Sequence, residues 1–219
     1  MTATQRRARS EPAKQQRTDD LLDAARLIAS NDGVRAVTLA AVTQAAGLHP
    51  SAVRRYFDSK EELLLELAER EWSAWSSALV VRLESGTGLP ADAIASAVTE
   101  TILARPLFCD LLIHVPLSLE DGVSLDRARQ YKTTSFAAYD AIVRALASAS
   151  ATLTPSAASD VISATLALTS YKWQVAHPGP ILAELYDLVP RWAHVALNLD
   201  ADLSRSIRAM IVGAQASTP

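Results

Sequence analysis

Residues Thr38 to Leu64 read TLAAVTQAAGLHPSAVRRYFDSKEELL, and their order decides the architecture. Thr38 is placed to act as an N-cap, since a hydroxyl there accepts a hydrogen bond from an orphan N–H of the first helical turn. Leu39, Val42 and Ala46 then share one stripe of a short helix, and Gly47 stands where a residue just past a helix takes left-handed backbone. Pro50 opens a second short helix at its first position, where a missing N–H costs nothing, and Phe57-Asp58 closes it. Ser59 to Glu62 forms a capping box that starts a helix running to about Glu84. Those 26 residues span about 39 Å, long enough to leave a small N-terminal domain and enter a second one. Two short helices joined by Gly47-Leu48-His49, with a capped long helix behind them, have the layout of a helix-turn-helix.

Working outward, Thr18 is expected to cap the first helix, with Asp19 and Asp20 in its first turn and Leu21, Ala25 and Ile28 on its buried stripe. It stops near Asn31-Asp32-Gly33. Residues 1–17 are polar and arginine-bearing and are expected to form a flexible basic arm. Ser85-Gly86-Thr87-Gly88-Leu89-Pro90 is the best boundary loop in the chain. Beyond it, helices are expected at about 90–104, 106–120, 124–149, 155–177, 180–189 and 201–215, with Pro116 kinking or ending the second. Seven glycines, few alternating β-branched runs and abundant Ala, Leu, Glu and Arg make the chain all-α.

The chain of 219 residues carries a net charge of −3 with 49% hydrophobic residues, a globular balance. The average hides a split. Residues 1–57 hold nine Lys/Arg against five acids, a local excess of four positive charges, so the remainder carries seven net negative charges. A small basic module that meets a polyanion, followed by a larger acidic body, fits that division. No apolar run approaches the roughly 18 residues needed to cross a bilayer and the N-terminus has no apolar core of a signal peptide, so no membrane partner is expected and the expected compartment is cytoplasmic.

A helix that enters a major groove needs small residues at its leading end and donors beyond them. Pro50, Ser51 and Ala52 supply the first; Arg54 and Arg55 supply the second; Tyr56 and Lys60 can reach phosphates. Arg54 suits bidentate contact with guanine, and equally a phosphate or solvent. Arg6, Arg7 and Arg9 can either enter a minor groove or attract DNA non-specifically.

Other chemistries lack support. Cys109, the one cysteine, excludes a disulfide framework, and it lies roughly 140° round a helix from His114, so the two do not form a metal pair. His177 beside prolines reads as a helix C-terminal residue, and His194 has no partner at ligand spacing. Gly86-Thr87-Gly88 lacks the strand and third glycine of a dinucleotide loop. No nucleophile stands beside a base, so neither an enzyme, a cofactor nor a metal is expected.

The Thr38–Leu64 stretch resembles the DNA-binding signature of TetR-family transcriptional regulators: a Thr before the paired helices, Ala-Gly at the turn, a Tyr-Phe ending, then Ser-Lys-Glu. Residues 18–65 carry the match. The resemblance implies a TetR-like homodimer with a helix-turn-helix domain over 18–65 and a ligand-binding and dimerisation domain over 66–219. It further implies double-stranded DNA with a palindromic operator as partner, and a small-molecule effector that releases the protein from it. Carried over residue by residue, Pro50, Ser51 and Arg54 fall at base-contacting positions, Arg55 at a base or backbone position, and Thr38, Tyr56 and Lys60 at phosphate positions. His49 takes the N-cap place of the commoner Ser, Arg54 stands where Tyr is frequent, and Thr43 replaces a usual Ala. Ala40 cannot make the arginine contact of some members. These departures bear on the operator sequence, not on the fold.

In a TetR-like body, Phe108, Leu112, His114, Phe136, Tyr139, Leu166, Thr169, Tyr171 and Trp173 lie on helices that would surround one another, and are candidates to line a largely apolar effector pocket; ordinary core is the competing reading. The helices at 155–177 and 201–215 are the candidate dimer face, through Val161, Leu168, Leu203, Ile207, Met210 and Ile211, again against intramolecular core.

Overall fold

A computed structural model describes residues 3–49, 52–84, 86–195 and 198–216, and among them finds helices and no strand. The first helix, α1 (Ala3–Asp32), ends where the sequence demands. Gly33 takes φ 82°, its N–H bonds to the Ala29 carbonyl, and a 3₁₀ turn (Val34–Ala36) follows. Its start corrects the sequence reading. Thr18 is not an N-cap: its hydroxyl donates to the Lys14 carbonyl at 3.2 Å inside a continuous helix. The expected arm is helical from Ala3 onward, because Gln15 to Asp19, Gln16 to Asp20 and Arg17 to Asp20 pair at helical spacing. Arg70 also grips Asp19 at 2.8 Å from a neighbouring helix.

Helix α2 (Leu39–Ala45) is capped as its sequence requires, Thr38 Oγ1 accepting from the Ala41 N–H. Gly47, at φ 66°, supplies the left-handed residue, and the Leu48 N–H closes back onto the Thr43 carbonyl. The helix expected from Pro50 to Phe57 is described only from Ala52, and that part is a 3₁₀ turn (Val53–Arg55). Pro50 and Ser51 lie outside the described residues. Helix α3 (Lys60–Glu84) starts from the Ser59 cap, whose Oγ accepts from the Glu62 N–H at 3.1 Å. The reciprocal bond differs from the standard box, since the Glu62 carboxylate takes the N–H of Asp58.

The remaining helices are α4 (Ala91–Leu103), α5 (Pro106–His114), α6 (Leu125–Ala149), α7 (Pro155–Ala176), α8 (Pro180–Leu188) and α9 (Leu199–Ala216). Pro116 acts as expected: α5 gives way to a π turn (Val115–Leu119) around it. Helix α3 packs along α6, while α9 lies against α4 and α7 and α5 lies against α7. The two ends of α3 serve two parts of one continuous core. Leu63, Leu64 and Leu67 join Leu21, Val42, Val53 and Phe57 in a small head. Trp72, Trp75, Leu79 and Leu83 join Phe108, Ile102, Ile142 and Leu146 in a larger body, where Trp72 and Phe108 meet edge to face with centroids 5.1 Å apart. Each such side chain contributes about 1.5–3 kcal/mol through burial.

Charged side chains also cross the body. Arg127 of α6 bonds Glu69 at 2.5 Å and Glu66 at 3.5 Å on α3. Burial raises the Glu69 carboxyl above its ordinary pKa despite the opposing pull of Arg127. Glu71, 4% exposed, is held by Arg26 of α1 and by Arg105 at 3.0 Å, tying head to body from the middle of α3.

Candidate nucleic-acid interface

The head leaves its cations outside by burying their neighbours. In the 3₁₀ turn, Val53 and the following Phe57 enter the core, so Arg54 and Arg55 between them stay exposed. Tyr56 is half-buried against the same core, leaving its phenol as the polar end of an anchored ring. Lys60 stands at the start of α3 with its ammonium 3.9 Å from Glu61, a loose surface pair. Thr38 spends one oxygen lone pair on its cap and keeps its O–H proton for a second partner. His49 is exposed beside the turn, and its carbonyl accepts from the Ala52 N–H at 2.8 Å. Thr43 is buried and turns its hydroxyl onto the Leu39 carbonyl, so its departure from alanine is satisfied within α2.

Thr38, His49, Arg54, Arg55, Tyr56 and Lys60 thus all belong to one short run of head structure, α2 to the start of α3. Pro50 and Ser51, the other two residues of that candidate set, lie outside the described residues. The chemistry on offer is donation to anions by groups mounted on a packed support.

Comparison with known proteins agrees. Residues 21–67 match the bacterial regulatory proteins of the tetR family, and residues 69–218 match the tetracyclin repressor-like C-terminal domain. The chain belongs to the TetR family. A crystal structure from Pseudomonas aeruginosa PAO1 that carries the name of a transcriptional regulator aligns with a TM-score of 0.54 at 17% identity, over 93% of this chain and 92% of that one. At that identity the likeness concerns the fold alone. No curated protein matches the chain in sequence. As a TetR protein it is a DNA-binding transcriptional regulator with an all-α, TetR-like fold.

Within this TetR regulator, the candidate effector residues do not converge. Phe108 is core, packed between Trp72 and Trp75. Phe136 is 58% exposed on the outside of α6, and Tyr171 is 63% exposed on α7, so neither lines a pocket. Tyr139 is engaged with Ser159 and Ser163 through its hydroxyl, a bond between α6 and α7. Leu112 and Leu166 pack at the edge of the core. Thr169 is fully buried and its hydroxyl finds no partner. The spread of these residues follows from helical phase: aromatic residues at turn spacing say which side of a helix is apolar, not which neighbour it meets.

Only His114 and Trp173 face a substantial cavity, about 590 Å³ between the α1–α2 connection, α5 and the end of α7. The other important residue there, Asp110, was missed. Its carboxylate accepts from the Val34 N–H at 2.8 Å and from Gln174 Nε2 at 2.7 Å, and lies 3.7 Å from His114 Nε2. Burial alone would raise the Asp110 carboxyl, but His114, Gln174 and the Val34 N–H outweigh it and hold its pKa below the ordinary carboxylate value. The signal was present as i, i+4 spacing, Asp110 to His114 and Trp173 to His177. His177 does end α7, and its ring stacks on Trp173 at 3.8 Å while Nδ1 meets the Trp173 carbonyl. Cys109 is inert by burial, which pushes its thiol up to about 12.

The apolar residues expected at a dimer face need the same correction. Val161, Leu203, Ile207 and Ile211 are buried within one chain, where α9 packs on α4 and α7; Leu168 and Met210 are half-buried there. Exposed apolar side chains in the C-terminal third include Tyr171, Ile181 (82% exposed), Leu182, Leu188, Trp192 and Val212. Among the described residues no single helix is long and apolar enough to cross a membrane.

Proposed function

We propose that this TetR regulator is a homodimeric repressor that a small molecule releases from a palindromic operator. The observation that carries the reading is the unbroken course of α3, which begins beside Arg54 and Arg55 and ends deep in the body. A change of packing around Trp72 and Trp75 therefore reaches the DNA-reading turn without passing through a flexible joint. The functional division is a DNA-binding part over 18–65 and an effector and dimerisation part over 66–219, with the basic side chains of residues 1–17 adding attraction to DNA. Arg54 reads a base, with Pro50 and Ser51 approaching beside it; Arg55 meets a base or the backbone, Thr38, Tyr56 and Lys60 hold phosphates, and His49 stands at the N-cap place of the reading helix. The second copy covers the outer faces of α7 and α9, where Tyr171 and Val212 stand exposed. Two heads then face half-sites about one helical turn of DNA, roughly 34 Å, apart. Effector and operator weaken each other reciprocally, typically by about 1–3 kcal/mol. The protein binds and switches in the cytoplasm, and catalyses nothing.

Selection from a random duplex library, followed by salt titration on the best site, tests this. The expected product is a palindrome bound at roughly 10⁻⁸ to 10⁻¹¹ M, with Arg54→Ala losing about 1–3 kcal/mol of discrimination at one base position. Lys60→Ala is expected to weaken all sequences alike and lower the salt slope by about one. Absence of sequence enrichment by a protein shown by native mass spectrometry to be free of ligand would refute the reading.

A further inference from the structure

We propose that the cleft between the α1–α2 connection and the ends of α5 and α7 binds a flat aromatic cation, an amine or amidinium, which acts on the head through Asp110. The inference rests on the ligand-released reading above and gives the effector a place and a chemical class.

The cleft, about 590 Å³, lies within the roughly 300–1,000 Å³ range of small-molecule sites. Its walls come from both parts of the molecule, Asn31 to Arg35 on the head side and Asp110, Trp173 and His177 on the body side. Its electrostatic sign follows from the side chains there, because helices α1 and α7 end at the cleft, at Asp32 and Ala176, while α5 and α8 begin there, at Pro106 and Pro180, so the helix dipoles offset one another. Asp32 and Asp110 add two carboxylates, against the exposed guanidinium of Arg35. Two carboxylates against one guanidinium leave the cleft net negative, which favours a cation over an anion. The shape preference comes from Trp173 and His177, two cleft-lining rings stacked 22° from parallel, which leaves the indole face away from His177 uncovered by that ring. A planar cation gains both stacking and attraction to the indole face.

Asp110 supplies the link to DNA binding. Val34 opens the 3₁₀ turn after Gly33, so its N–H has no acceptor within that turn, and the body provides one: Asp110 Oδ2 at 2.8 Å. A body residue thus caps a head turn, four residues before the N-cap of α2. Oδ1 takes Gln174 Nε2 at 2.7 Å. Oδ1 already has His114 Nε2 3.7 Å away beside Gln174, but Oδ2 keeps a second acceptor direction beside the Val34 N–H, so a ligand N–H can join there, draw the carboxylate towards itself and loosen its hold on Val34. The cleft ligand and the position of α2 are then two ends of one contact.

Isothermal titration of the full chain with tryptamine, tryptophol and indole-3-acetate tests the class, since the three share a ring and differ in carrying an ammonium, a hydroxyl or a carboxylate. Tryptamine is expected to bind at least tenfold tighter than the others. Asp110→Asn, which keeps an acceptor for the Val34 N–H, is expected to shrink that preference below threefold, and Trp173→Leu to weaken all three. Should Asp110→Asn fail to fold, the wild-type Trp173 indole N–H resonance, assigned by its loss in Trp173→Leu, decides: it shifts on adding tryptamine. Equal binding of the three probes, no binding, preference for the carboxylate, or a Trp173 resonance that stays still overturns the proposal. Saturating tryptamine is expected to weaken operator binding at least fivefold. A chain that finds no operator but prefers tryptamine at Trp173 would sink the repressor reading and keep this site; an operator binder released by other compounds yet indifferent to tryptamine would do the reverse.

Discussion

Glu71 offers the sharpest test of how head and body are joined. Its carboxylate is 4% exposed and bonds two guanidiniums, Arg26 from α1 and Arg105 at 3.0 Å from the α4–α5 junction. Glu71→Gln keeps the shape but leaves one neutral acceptor oxygen and turns an NH₂ towards the other arginine. Two bonds between ions, each worth about 1.5–3 kcal/mol, become one bond from a guanidinium to a neutral amide oxygen, worth about 1.5 kcal/mol. The raw loss is therefore about 1.5–4.5 kcal/mol. Arg26 is 41% exposed and Arg105 is partly exposed, so water recovers much of what each loses, and the expected net cost is about 2 kcal/mol. For a chain of this size that lowers Tm by roughly 4–8 °C. Scanning calorimetry at fixed protein concentration measures it, and a double-mutant cycle of Arg26→Ala with Glu71→Ala isolates the cross-domain pair, for which about 1 kcal/mol of coupling is expected. A Tm within about 1 °C of wild type, together with additive single effects, would show that the pair holds nothing and that α3 packing alone orients the head.

Gly47→Ala puts a side chain at φ 66° with no atom within 4 Å to strike, so its cost is backbone strain alone, about 1–2 kcal/mol, read as a lower urea midpoint; an unchanged midpoint would contradict the left-handed turn. The Asp110 carboxyl sits below its unfolded value of about 3.9, so its stabilisation is full above that pH and fades as pH falls through the lower folded value. Chemical denaturation should accordingly give a stability gap between wild type and Asp110→Asn that is present at pH 5 and shrinks below pH 4, and a gap that goes on widening below pH 4 would reverse the sign. With its thiol near 12, Cys109 should resist iodoacetamide at pH 8 in the native state, and labelling at the rate of an exposed cysteine would place it elsewhere.

Much of this architecture could be read from local chemistry. Thr38, Gly47, Ser59 and Gly33 act on backbone groups within a few residues, so their effect does not depend on the rest of the fold, and the helix ends they mark agree with the structure to within a residue or two. Thr18 failed because a cap residue is also tolerated inside a helix when its neighbours pair, as Gln15 and Gln16 do with Asp19 and Asp20. The cations of the head were legible because Val53 and Phe57 bracket them on the buried side. The body was harder. Phe136 and Phe108 look alike in sequence, and only the packing of α3 against α5 and α6 sends one to solvent and the other to the core. Asp110 was hidden for the opposite reason: its partner Val34 lies 76 residues away and offers only a backbone N–H, which no side-chain pattern announces.

Helix α3 contains neither glycine nor proline in its 25 residues, so it bends little and works as a rigid lever about 37 Å long. Leverage sets the gain of the molecule. A displacement of about 0.5 Å one turn from a pivot at the body end grows roughly sevenfold along that length, to more than 3 Å at Lys60. That exceeds the tolerance of a hydrogen bond to a base edge or phosphate. In the proposed switch the body can therefore stay close-packed, because the geometry of one long helix, and not a loosening of the core, would supply the amplification.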